Sequence, residues 1–123
     1  MSDVQSSPTL SGRRILLVED EYMIAADMHQ AFERLGSVVV GPASRVEDAL
    51  AMIEVDEIDC AVLDINLGGE PVWPVADALY NSGVPFVFTT GYDQSAIPEL
   101  YAKVPRCEKP VNMKRLVQAL LAS

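Results

Sequence analysis

The sequence predicts an α/β fold, a doubly wound parallel sheet of five strands with helices on both faces. Three apolar runs, within residues 15–20, 61–64 and 86–90, each close on an acid or a hydroxyl. A buried parallel strand has this pattern where its carboxyl end emerges at the edge of the sheet. Segments with helical apolar spacing alternate with these runs, and right-handed crossovers then favour the strand order 2-1-3-4-5.

The first half of the chain is predicted to hold three strands and two helices, in the order 13–18, 21–35, 38–40, 45–54 and 59–63. The strands are runs of aliphatic and β-branched residues. The first helix has an apolar stripe at helical spacing, formed by Ile24, Met28, Ala31 and Leu35. The second strand is expected to end at Gly41 and Pro42. Ser44 can cap the second helix, with Glu47 three residues later completing a capping box.

The second half continues the alternation with a helix over residues 72–81 and a strand over 85–89. Turn residues dominate the next stretch, so a fourth helix there is expected to be short or irregular. A fifth strand then includes Cys107, and Asn112 caps the last helix. Met113, Leu116, Val117 and Leu120 are expected to face the core from that helix.

Length and composition are those of one domain. The chain has 123 residues and a net charge of −9, which argues against a nucleic-acid surface. No apolar run approaches the roughly 20 residues of a membrane span, and the first residues do not resemble a secretion signal. We therefore expect a cytoplasmic monomer, with a flexible tail over residues 1–12, one domain over 13–123, and no output domain.

Cys60 and Cys107 are predicted to remain unpaired. The proposed order separates their strands by one other strand, or about 9 to 10 Å. A disulfide tolerates a Cα separation of only about 7 Å.

Acidic residues collect where neighbouring strands end. Glu19 and Asp20 follow the first strand, and Asp64 closes the third. Three carboxylates this close repel one another unless a cation lies among them. Ligation by carboxylates and a backbone carbonyl, which Asn66 could supply, suits Mg²⁺.

The same edge offers the parts of a phosphoryl-transfer site. Asp64 can act as a nucleophile, Lys109 can neutralise phosphoryl oxygens, and Thr90 can donate a hydrogen bond to one of them. Each element alone has a simpler explanation, such as an acidic pair at a helix N-terminus or a strand-ending threonine. The acidic pair, Asp64, Thr90 and Lys109 together, in this order and spacing, favour the phosphoryl site.

These motifs resemble those of response-regulator receiver domains over about residues 13–122. Residues 17–21 resemble the acidic metal-binding start of that family, residues 62–67 its phosphoacceptor segment, and Lys109-Pro110 its lysine with a usually cis proline. The resemblance implies a flavodoxin-like fold and phosphate transfer from a histidine kinase or phosphotransfer protein to Asp64. It also implies Mg²⁺ held by Glu19, Asp20, Asp64 and the Asn66 carbonyl. A downstream protein partner can follow from such signalling, and phosphorylation can turn the expected monomer into a dimer.

A finer resemblance lies in residues 85–92, which are similar to the motif of the "FAT GUY" receivers, stand-alone proteins of which some act in general stress signalling. Thr89 stands where that motif usually has alanine, and Arg106 stands where most receivers have the tyrosine or phenylalanine of the switch. The switch is therefore predicted to use Thr90, Gly91, Tyr92 and Arg106.

Three functions remain open at this point. The first is a phosphorylation-controlled binding module, a signalling switch that catalyses its own phosphorylation and slow dephosphorylation. The second is a phosphate sink or relay intermediate. The third is a Mg²⁺-dependent phosphatase, which usually has a second aspartate where this chain has Asn66. We favour the first.

Overall fold

The structure, a computed structural model, describes residues 9–91 and 97–122. Its main sheet consists, within these residues, of the parallel strands β1 (Arg14–Val18), β2 (Val38–Ala43), β3 (Cys60–Asp64), β6 (Phe86–Thr90) and β7 (Arg106–Glu108). A separate hairpin is formed by β4 (Asn66–Leu67) and β5 (Glu70–Pro71). The sheet order is β2-β1-β3-β6-β7, which is the predicted order 2-1-3-4-5 once the hairpin is set aside.

Helices cover both faces of the sheet, as predicted. They are α1 (Tyr22–Arg34), α2 (Val46–Val55), α3 (Trp73–Asn81) and α4 (Met113–Leu121). Buried residues of α1 and α4 pack in one core cluster, and those of α2 and α3 pack in the other. Between β6 and β7 the described residues form only a 3₁₀ helix, Glu99–Tyr101, which confirms the expected short fourth helix.

Alternating side chains of each central strand supply both cores. In β1, Leu16 and Val18 face the α2–α3 side, whereas Ile15 and Leu17 face the α1–α4 side. All four are 0% exposed. A strand buried on both faces must be apolar at consecutive positions, and this explains why the strands were visible as continuous apolar runs.

Two predictions about the helices were wrong. The buried face of α1 is formed by Ala25, Met28 and Phe32, whereas Leu35 is the C-cap residue and is 45% exposed. Phe32 is 0% exposed and packs in the core, although the predicted stripe did not include it. In α2 the N-cap is Arg45 with no side-chain cap bond, so the predicted capping box does not form.

The second strand also continues further than predicted. It passes through Gly41 and a cis peptide to Pro42, and ends at Ala43. Gly41 has a φ of +104°, and a Cβ there would lie 2.8 Å from the carbonyl oxygen of Leu17. Glycine is therefore required where β2 crosses close to β1, because a side chain would collide with the neighbouring backbone.

The packed region begins before residue 13. Leu10 is 2% exposed, and its carbonyl accepts a hydrogen bond from Ser37 Oγ at 2.8 Å. The backbone N–H of Gly12 donates to the carbonyl of Gly36 at 2.8 Å. The expected tail boundary at residue 12 therefore lies too late, while residues 1–8 are outside the described part of the chain.

The end of the chain follows the prediction closely. Asn112 Oδ1 accepts the backbone N–H of Arg115 at 3.2 Å and so caps α4. Both cysteines are free, and burial raises the pKa of the Cys60 thiol to about 11. No helix in residues 9–91 and 97–122 combines the length and the apolar character that crossing a membrane requires.

Candidate functional site

The residues predicted for phosphoryl transfer and metal binding converge on one cavity at the carboxyl edge of the main sheet. The cavity has a volume of about 270 Å³. Its lining includes Asp20, Asp64, Asn66, Thr90, Gly91 and Lys109. Glu19 lies beneath them at 2% exposure. Parallel strands end at the same edge, so residues far apart in the sequence meet here.

Lys109 is the central cation of this site. Its ammonium Nζ lies 3.1 Å from a carboxylate oxygen of Glu19, 3.0 Å from Asp64 Oδ2 and 2.8 Å from Glu21 Oε1. The backbone N–H of Lys109 also donates to the carbonyl of Thr90 at 2.8 Å. The last strand therefore holds the lysine against the end of β6, with its side chain directed at the acids of β1 and β3.

Burial controls the electrostatics of the acids. Burial raises the pKa of Glu19 to about 7, and the nearby Asp64 charge adds to this, against the lowering effect of the Glu21 N–H and Lys109. Burial also raises the pKa of Asp64 despite its hydrogen bond from Lys109. Burial alone would lower the pKa of Lys109, but hydrogen bonds to Glu21, Asp64 and Glu19 outweigh it and the pKa is raised. The site thus favours a charged lysine and disfavours further uncompensated negative charge.

The acidic cluster fits a divalent cation. Glu19, Asp20 and Asp64 can each present one carboxylate oxygen within 4.8 Å of the others. Glu19 Oε1 is buried and lies 3.1 Å from the Lys109 ammonium, although it accepts no hydrogen bond of regular geometry among the described residues. A hard divalent cation would compensate the negative charge of the three carboxylates that Lys109 alone does not neutralise.

The loop after β3 shapes one side of the cavity. The backbone N–H of Asn66 donates to Asp64 Oδ1 at 3.2 Å, and Asn66 Oδ1 accepts the N–H of Gly69 at 2.6 Å. The side chain of Asn66 is therefore engaged within its own loop. This is compatible with the predicted use of its backbone carbonyl, rather than its side chain, as a ligand.

The two threonines at the end of β6 have different surroundings. Thr90 is 8% exposed and lines the cavity. Thr89, which is paired in register with Asp64, is fully buried, and its hydroxyl has no hydrogen-bond partner in the part of the chain that the structure describes. Only Thr90 is therefore placed to contact a group bound at Asp64.

One predicted switch residue, Arg106, lies away from the cavity. Arg106 is exposed on β7, in a separate cleft that Cys107 and Arg115 also line. Tyr92 lies outside the described residues.

Two residues with notable contacts were not identified from the sequence. Glu21 contacts Lys109, and the third acid of the Glu19-Asp20-Glu21 run was its only signal. Tyr101 is 1% exposed, stacks on Trp73 with ring centroids 6.3 Å apart, and donates its hydroxyl to Asp77. A buried aromatic is therefore present beside β6, but it comes from the 3₁₀ helix and not from position 106.

Comparison with known proteins agrees with this geometry. A family model described as the response regulator receiver domain matches residues 15–121. The sensory transduction protein LytT of Bacillus anthracis is 32% identical over 111 residues, which cover 87% of this chain and 45% of LytT. The chain thus spans less than half the length of that curated relative.

Solved structures are similar over most of the chain. The solution structure of SdrG from Sphingomonas melonis Fr1 has a TM-score of 0.78 and 39% identity, covering 89% of this chain and 97% of SdrG. SdrG from Pseudomonas melonis Fr1 in its BeF3-activated conformation has a TM-score of 0.75 and 37% identity, covering 90% of this chain and 98% of that protein. The finer resemblance to the FAT GUY subfamily stays a prediction.

Proposed function

The chain belongs to the response regulator receiver family of two-component signalling, and from this premise we propose that Asp64 accepts a phosphoryl group from a histidine kinase or phosphotransfer protein. The observation that carries the proposal is the contact of Asp64 with Lys109 in a cavity that Thr90 also lines. A buried nucleophilic carboxylate, a cation and a hydroxyl are the parts that phosphoryl transfer needs.

Each residue has a definite part in the proposed transfer. An oxygen of Asp64 attacks phosphorus, the bond from phosphorus to the donor's imidazole nitrogen breaks, and the imidazole leaves with that electron pair. Lys109 neutralises charge on the phosphoryl oxygens, and the Thr90 hydroxyl donates a hydrogen bond to one of them. The N–H of Asn66, 3.2 Å from Asp64 Oδ1, orients the carboxylate for attack.

Receiver domains generally bind Mg²⁺ at an acidic pocket, and this chain has such a cluster. We propose Glu19, Asp20, Asp64 and the backbone carbonyl of Asn66 as the residues that hold it. When bound, Mg²⁺ would offset the negative charge that accumulates on the phosphoryl oxygens.

Phosphorylation by a small donor tests the proposal. With Mg²⁺ and acetyl phosphate, we expect intact-mass analysis to show one added phosphoryl group per chain. Removal of divalent cations with EDTA should suppress the addition, because the carboxylates then repel the anionic donor. A protein that stays at its unmodified mass under these conditions would contradict the proposed function.

The proposed conformational response runs from Thr90 into the segment that follows it. We expect Thr90 to move toward the phosphoryl group, and the motion to pass through Gly91 toward Arg106. Since SdrG was solved in a BeF3-activated conformation, beryllofluoride is a suitable phosphoryl mimic. NMR with and without beryllofluoride should place the largest shifts, outside the cavity itself, in residues 91–106.

Thr90→Ala should uncouple that response and leave Asp64 phosphorylation largely intact. The two-state element would be the segment after β6, biased by the hydrogen bond from Thr90. Shifts confined to the cavity, or an equal response in Thr90→Ala, would show that this part of the proposal is wrong.

A downstream partner separates a binding module from a phosphate sink. We expect a pull-down with the phosphorylated protein to retain a partner that the unphosphorylated protein does not. Phosphotransfer from purified histidine kinases without any such partner would favour the sink or relay.

A further inference from the structure

The shortest contact of Lys109 is one that the proposed chemistry does not use. Glu21 Oε1 lies 2.8 Å from Nζ, closer than either Asp64 or Glu19. Glu21 also connects to the site through its backbone, because its N–H donates to Glu19 Oε2 at 3.0 Å. It is the N-cap residue of α1, so the start of that helix holds it at the mouth of the cavity.

The donors of Lys109 are fully committed. An ammonium has three N–H donors, and here three carboxylates accept from it. Donation to a phosphoryl oxygen therefore requires one carboxylate to release its hydrogen bond.

Exposure indicates which partner is released most readily. The side chains of Glu19 and Asp64 are 1% and 5% exposed, whereas that of Glu21 is 59% exposed. A buried carboxylate that loses its cation stays unsolvated and is strongly destabilised. Glu21 can rotate into water, where solvent replaces the lost bond at little cost.

We propose that Glu21 is a positioning residue that holds Lys109 through its carboxylate and competes with the phosphoryl group of Asp64 for that ammonium. The inference rests on the proposed function, since it concerns the same lysine and the same phosphoryl group. Glu21 thereby opposes formation of the phosphorylated form and returns to Lys109 when the phosphoryl group leaves. Its negative charge also repels an incoming anionic donor at the mouth of the cavity.

Substitution at Glu21 tests the competition. Glu21→Gln and Glu21→Ala should bind beryllofluoride about two- to five-fold more tightly than the wild type at saturating Mg²⁺, the range that a solvent-exposed ion pair spans. The acetyl phosphate reaction should be faster by a similar factor. Both variants should fold, because the side chain is mostly exposed.

Two matched controls separate the contact from simple charge removal. Glu54→Gln removes the same charge from an exposed position on α2, and Glu70→Gln removes it from the hairpin strand β5 beside the lining glycines Gly68 and Gly69. Both should keep the wild-type affinity for beryllofluoride. An increase in either control that equals the increase at Glu21 would overturn the inference.

A second readout does not depend on phosphorylation. In ¹H–¹⁵N spectra that detect lysine ammonium groups, the Lys109 ammonium of Glu21→Ala should exchange with water faster than that of the wild type. Unchanged exchange together with unchanged beryllofluoride affinity in the Glu21 variants would overturn the inference and leave the proposed function standing. A wild type that takes up neither beryllofluoride nor a phosphoryl group would overturn both.

Discussion

Asp64→Asn should abolish the phosphoryl addition that acetyl phosphate and Mg²⁺ produce in the wild type. The amide lacks the negative charge of the carboxylate and is a poor nucleophile toward phosphorus. Its shape is nearly that of aspartate, but its single oxygen can replace only one of the two acceptors, Oδ1 for the Asn66 N–H or Oδ2 for Lys109. Lys109 keeps its contacts with Glu19 and Glu21 in the variant. The loss should therefore be chemical and should leave the fold intact, and intact-mass analysis beside a thermal melt measures both.

Asp20→Asn should slow phosphorylation, whereas Asp64→Asn should abolish it. Asp20 is exposed at the cavity and belongs to the acidic cluster, but Lys109 has no contact with it among the described ion pairs. Asp20→Asn should slow phosphorylation at limiting Mg²⁺ by roughly tenfold or more. Mutation of residues that only hydrogen-bond to a metal ligand already has effects of that size, and Asp20 is proposed as a ligand itself. Asp48→Asn, an equal change on the exposed side of α2, should leave the rate unchanged. Undiminished labelling of Asp64→Asn would show that the site is assigned to the wrong residue.

Lys109→Met should destabilise the fold by about 3–5 kcal/mol at neutral pH without Mg²⁺, the usual cost of removing one partner from a buried ion pair. Its side chain is 13% exposed, and its removal leaves the carboxylates of Glu19 and Asp64 buried without a cation. Lys114→Met, at an exposed position on α4, is the matched control and should change the free energy of unfolding by less than about 0.5 kcal/mol. Urea unfolding of both variants measures the difference.

The cost of Lys109→Met should depend on pH. Burial raises the pKa of Glu19 in the folded protein from 4.5 to about 7, so the folded state binds a proton more tightly than the unfolded state. The stability that Glu19 contributes by binding this proton is fully present below its pKa in the unfolded state. It is lost as pH rises through its pKa in the folded state. Without Lys109 the folded pKa should rise further, so the variant should approach wild-type stability at pH 5 and fall well below it at pH 8.

Stabilisation of the fold by Mg²⁺ should also change between pH 5 and pH 8. It should stabilise the wild type more at pH 8, where the carboxylates are ionised, than at pH 5, where protons compete with it. Equal stabilisation at both pH values would count against a carboxylate site.

Much of the fold could be predicted because the signals are local. The central strands are buried on both faces, so each is a continuous apolar run that needs no tertiary information to identify. The sheet order then followed from the handedness of crossovers. Helix contacts were less predictable, since the exposed Leu35 and the buried Phe32 are both apolar, and only packing against the sheet distinguishes them.

Capping and turn predictions failed where the neighbouring strand decides the conformation. Ser44 and Glu47 have the spacing of a capping box, but β2 extends to Ala43 and the helix begins after Arg45. Gly41 and Pro42 have the composition of a turn, yet pairing with β1 extends the strand through them. A local pattern competes here with hydrogen bonds to residues distant in the sequence.

The sequence by itself determined which residues stand at the carboxyl ends of the strands, and so brought Asp20, Asp64, Thr90 and Lys109 to one edge. Hydrophobic periodicity sets the strand ends, and a parallel sheet gathers them. Only the tertiary structure decided that Glu21 binds Lys109 across 88 positions of sequence, and that Tyr101 rather than position 106 supplies the buried aromatic. Such contacts depend on side-chain direction and on how a helix start and a loop pack against the sheet, and no local pattern of residues encodes that geometry.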